Sequence, residues 1–155
     1  MKYLAIIVIA TAAIIAAGVT GLSFYLWPTS LGDYKLNVTP AMLERLADLK
    51  RERKFGPDDA TFYPGARNEA ERVAAQLAAD SAIQALFDDL PAHPRRAVVL
   101  GHMKRALAGF TTIESEERDR MLFYLGRALD ICGIDSSSEL FNVWRYGFPY
   151  GWFLR

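Results

Sequence analysis

One cysteine, Cys132, stands in the 155 residues. No intrachain disulfide can form, so stability has to come from packing. Histidine is nearly as scarce: His93 and His102 make no recognisable metal-ligand pattern. No glycine-rich phosphate loop, nucleophile elbow or oxygen-ligand loop with a glycine turn occurs. There is no alternating strand pattern and no internal repeat. An excess of one charge is lacking too, with 18 basic and 18 acidic side chains. That balance gives no electrostatic argument for nucleic acid, and the arginines around Arg95 and Arg96 lack interleaved aromatics. These absences point away from an enzyme, and no catalytic residue, metal ligand or cofactor is assigned.

What is present first is a long uncharged run, Tyr3 to Trp27, of 25 residues without proline or amide side chains. About 20 apolar residues suffice to span a bilayer core, and lipid forces such a segment to be helical. Tyr3 at one end and Tyr25 and Trp27 at the other suit the headgroup level. The sequence therefore predicts a single transmembrane anchor over residues 3–27, then a tether over 28–38, a helical domain over 39–148 and an aromatic tail over 149–155. A signal peptide cleaved after Ala16-Ala17-Gly18 is the rival reading. The short leading tail favours a single-pass inner-membrane protein with a periplasmic domain. Ala13, Ala17 and Gly21 trace a small-residue face of the kind that pairs helices in lipid.

Beyond the anchor, Thr39-Pro40 reads as N-cap and first helical residue. The helix that follows carries Met42, Leu43, Leu46 and Leu49 and is expected to end at Gly56-Pro57. Lys50, Arg51, Arg53 and Lys54 in its last turns suit the dipole; contact with anionic headgroups is the alternative. Phe62 and Tyr63 lie in a loop before Pro64-Gly65 and are expected to cover the core. A second helix is expected over about 66–90, with Ala70, Val73, Ala74, Leu77, Ala78, Ile83, Leu86, Phe87 and Leu90 on one face.

A third helix runs from about Pro94 to Ala108, with Val99, Met103, Leu107 and Phe110 inward. A fourth is capped by Ser115, with Glu116, Glu117 and Asp119 in its acidic first turn. It buries Met121, Leu122, Leu125, Leu129 and Cys132 and stops at Gly133. Ser136 and Glu139 have capping-box spacing ahead of a short last helix. The fold class is all-α: an anchor followed by a bundle of four to five helices.

Seven aromatics fall in the thirteen residues from Phe141 to Phe153, with Arg145 among them. Aromatics and arginine dominate protein contacts. Phe141, Trp144 and Phe148 are expected to close the bundle. Trp144, Arg145, Tyr146, Tyr150, Trp152 and Phe153 form the candidate partner-binding set.

Gly133-Ile134, Ser136-Ser137, Leu140, Trp144 and Tyr146-Gly147-Phe148 also carry a resemblance. They look like the end of a small bacterial helical family, domain of unknown function 4844. The resemblance covers the last third of the chain, with helices two and three fitting loosely. It implies an all-helical domain and carries over no catalytic residue.

The function expected is that of a membrane-anchored interaction protein, such as an immunity protein or an accessory subunit with a protein partner. Two alternatives stand: an enzyme whose site gathers His102 with Glu114 or Cys132, and a module that lies on lipid.

Overall fold

A computed structural model describes residues 2–26, 29–111 and 114–147, with the side chains of the first helix described at 3 and 6–21. Among these residues there are six helices: α1 Lys2–Leu26, α2 Pro40–Arg51, α3 Glu69–Asp89, α4 Arg96–Gly109, α5 Ser115–Ile131 and α6 Leu140–Tyr146. The all-helical expectation holds. The anchor does not: among the described residues no helix is long and apolar enough to cross a membrane. The single N-terminal transmembrane helix is thus corrected to an N-terminal helix whose described side chains are all exposed.

Helix α3 is the hub, packing on α2, α4 and α5, while α6 closes α4 and α5. Its close packing comes from small residues, since Ala75, Ala79 and Ala82 face the core with Ile83 and Leu86. The expected face holds at Ile83, Leu86 and Leu90, while Phe87 is exposed. Val73 is half exposed and Leu77 is 66% exposed, because the alanines let neighbouring backbones approach and so take the inner side. Asn68 caps α3 by accepting from the Glu71 N–H at 2.9 Å, which places its start three residues after the expected one.

Helix α2 begins as expected, with the Thr39 hydroxyl accepting from the Met42 N–H at 3.2 Å. It ends earlier, at Arg51, and the reason is Lys54. This side chain is fully buried. Its ammonium donates to the carbonyls of Leu49 at 2.5 Å and of Lys50 and Glu52 at 3.0 Å, and sits 2.7 Å from Asp80 Oδ1. A lysine folded back onto the helix end thus satisfies the carbonyls left open there. The next residue, Phe55, turns left-handed (φ 58°) and puts its ring wholly in the core. There it lies 5.2 Å from the ring of Tyr124 and 6.1 Å from that of Phe110.

The tether is not merely a solvated link. Leu36 is buried, its N–H donates to the Pro94 carbonyl at 2.7 Å, and the Arg96 N–H donates to the Tyr34 carbonyl at 3.0 Å. Asp33 accepts from the Ala97 N–H at 2.8 Å and so caps α4 from more than sixty residues away. Arg96, also buried, ties Leu31 to the loop at Ser136 and Ser138.

Helix α5 ends in the expected manner. Gly133 is left-handed (φ 68°), and Ile134 donates back to the Leu129 carbonyl at 3.0 Å, a Schellman-type closure. Its N-cap is Glu114 rather than Ser115. The Ser136–Glu139 capping box is not formed. Glu139 is itself left-handed, and Ser136 Oγ accepts from the Ser138 N–H instead.

Candidate functional site

The expected partner-binding set divides. Trp144 turns inward: its indole N–H donates to the Leu107 carbonyl at 2.8 Å, its ring lies 6.3 Å from Phe110, and the Arg118 guanidinium covers it at 4.6 Å. Arg145 is taken up by Asp119. Tyr146 is exposed. Tyr150, Trp152 and Phe153, with Phe148, lie outside the described residues. Trp144 and Arg145 are therefore spent on holding α6 to the bundle.

The histidines do gather, though around a different residue than expected. Asp89 takes His93 Nδ1 at 2.7 Å and His102 Nε2 at 2.8 Å, and Arg105 reaches the other ring nitrogen of His102 at 2.8 Å. The hydrogen bonds from His102 and then His93 hold the Asp89 carboxyl below its ordinary range. The partners found for His102 are thus Asp89 and Arg105, not Glu114 or Cys132. Cys132 is buried among apolar side chains, and burial pushes its thiol up to about 12, the state of an inert core cysteine.

The most unusual surface feature is the loop between α2 and α3. Asp58 and Tyr63 exchange backbone hydrogen bonds at 2.9 and 3.0 Å, enclosing a single 3-10 turn at Asp59–Thr61. Both Arg120 nitrogens donate to Asp58 Oδ2 at 3.0 Å, and one also donates to the Thr61 hydroxyl at 2.5 Å. Thr61 and Arg120 together hold the Asp58 carboxyl below its usual range. Gly65 (φ +89°) completes the turn where a Cβ would meet Pro57 at 3.0 Å.

Phe62 and Tyr63, both expected on the core, separate here. Tyr63 is buried beneath the Arg120 guanidinium at 4.4 Å, and burial pushes its phenol up to about 12. Phe62 is left-handed (φ 55°) and 93% exposed. Beside it lies a recess of about 290 Å³ bounded by Phe123, Arg120, Asp119 and Glu116.

A larger cleft, about 410 Å³, opens on the other side of the α5 start. Its floor is Ala74, Ala75 and Ala78 of α3 with Phe110, and Arg67, Glu71, Glu114 and Glu117 line it as well. Arg67 is paired with Glu114. Glu117 is only 7% exposed, and its Oε2 has no hydrogen-bond partner. Oxygens of Glu114, Glu116 and Glu117 lie within 4.8 Å of one another, so these are the described residues able to hold a cation. A sequence signal for Glu117 did exist: it stands one turn before Met121 and two before Tyr124 on the buried stripe of α5. Phe62 had none, since neighbouring aromatics in a loop carry no period.

An all-helical bundle with a displayed aromatic loop and an acid-lined cleft is the class that fold and surface define. Residues 37–149 match the model of the family described as domain of unknown function (DUF4844). The chain belongs to that family, and the match spans most of the chain where the sequence motifs had pointed to its last third. Among solved structures, a DUF3571 family protein from Acinetobacter baumannii AYE is similar at 23% identity with a TM-score of 0.65, over 74% of this chain and 95% of that one. At that identity the likeness concerns the fold alone. No curated protein matches the chain.

Proposed function

We propose that the helical domain is a non-catalytic binding module that docks a protein partner around Phe62. One observation carries this reading: a large apolar ring stands almost fully in water on a left-handed backbone fixed from both sides. Such a conformation costs a non-glycine residue about 1–2 kcal/mol, and strain that persists without burial belongs with function more than with stability. A ring already ordered before contact binds without further ordering cost, and aromatic anchors seated in a partner's pocket dominate binding energy. Exposed Glu116 lines the recess, so the partner's pocket is expected to have a basic rim. An immunity protein or an accessory subunit would use a surface of this kind.

The test is a photo-crosslinking residue placed at position 62 and, separately, at the exposed Leu77, in full-length protein expressed in its native host. A single adduct of defined mass from position 62 alone is the expected result. Equal labelling from both positions, or none from 62, would remove the proposal.

A further inference from the structure

We infer that the cleft between α3 and the start of α5 binds an aliphatic cation, a primary ammonium or guanidinium on a short apolar chain, with Glu117 as its counter-ion. A carboxylate that is more than nine-tenths buried needs a donor for each oxygen, or it forfeits its hydration without return. Glu117 Oε2 has none, and Glu117 is among the residues that line the cleft. Glu71 and Glu114 stand at the same cleft, and the one cation lining it, Arg67, is engaged by Glu114. The unmet demand is therefore for positive charge.

The other lining decides what carries that charge. Ala74, Ala75, Ala78 and the Phe110 ring form an apolar floor, which offers nothing to a bare metal ion and suits an alkyl chain. A dication would also sit at the positive end of the α5 dipole. It would have to compete with Arg67 for Glu114 and draw on Glu116, which is exposed and accepts from the Ser115 hydroxyl at 3.2 Å. An ammonium or guanidinium can donate to Glu117 directly while its chain covers the alanines, a small-molecule site of the usual mixed kind. A free amine and a lysine or arginine side chain of another protein share this chemistry.

The experiment is an NMR titration of the full chain, labelled at alanine methyls, with n-butylammonium, n-butanol, calcium chloride and Nα-acetyl-lysine N-methylamide. Saturable shifts at Ala74, Ala75 and Ala78 with butylammonium and not with butanol are expected. Glu117→Gln is expected to weaken that binding at least tenfold. Ala74→Leu, which fills the cleft and leaves every carboxylate in place, should abolish it. Equal response to butanol, an unchanged affinity in Glu117→Gln, or calcium displacing the amine would overturn the inference. Should Glu117→Gln not fold, the charge dependence in the unmodified chain and the Ala74→Leu result decide. Binding of butylammonium alone identifies a free amine as the ligand; binding of the lysine amide as well identifies a side chain.

Discussion

Phe55 and Phe62 stand seven residues apart and share a positive φ, 58° and 55°, yet one is fully buried and the other 93% exposed. At Phe55 the strain is offset by what it delivers: an aromatic ring between Phe110 and Tyr124, and an N–H that donates to the Tyr124 hydroxyl at 3.2 Å. At Phe62 the same strain delivers only exposure. A left-handed phenylalanine is thus structural where it is packed and a pointer to function where it is not.

The two positions can be broken by the same change. Glycine accepts either backbone, so Phe55→Gly isolates the ring, and its loss should cost about 3–5 kcal/mol in denaturant unfolding. Lys54→Ala tests what holds Phe55 in place. It leaves three carbonyls and Asp80 without their cation and should cost about 3 kcal/mol, the low end for a buried pair because Asp80 reaches solvent. Near-unchanged stability would show that the turn is held from elsewhere.

The buried side of the comparison also titrates. The Cys132 thiol is raised from 9.0 to about 12 by burial, so the folded chain keeps a proton that the unfolded chain releases. Its stabilising effect is whole below pH 9 and disappears as pH climbs toward 12, at about 1.4 kcal/mol per pH unit. The Tyr63 phenol, raised from 10.0 to about 12, adds the same trend from pH 10. Cys132→Ala should flatten the decline between pH 9 and 10. Smallest of all, Phe62→Gly should leave stability unchanged or raise it by about 1 kcal/mol. A loss of several kcal/mol there would place the ring in the fold and not on display.

Local rules made much of the bundle legible. Thr39-Pro40, Gly133-Ile134 and the stripe from Met121 to Cys132 act within a few residues, and each was found where the pattern put it. Readings failed where distant groups intervened. Lys54 shortened α2 because Asp80 of α3 received it. Asp33 capped α4, whose own Arg95 makes no side-chain cap. Asp89 stands four residues before His93, but the breaks at Pro91 and Pro94 hid the pairing with His102. Trp144 and Arg145 read as a binding surface because composition cannot say which way an aromatic faces. Tertiary contacts turned them inward and left Phe62 outside.

The chain's own order of residues determined that this protein is helical, roughly where its helices begin and stop, and that no disulfide holds it. Those properties depend on hydrogen bonds and periodicities spanning only a few positions. Which phenylalanine is core, which lysine is buried and which glutamate lacks a partner were decided only when α3 brought distant segments together. Burial belongs to the packed assembly of helices, and a single helix or loop does not carry it.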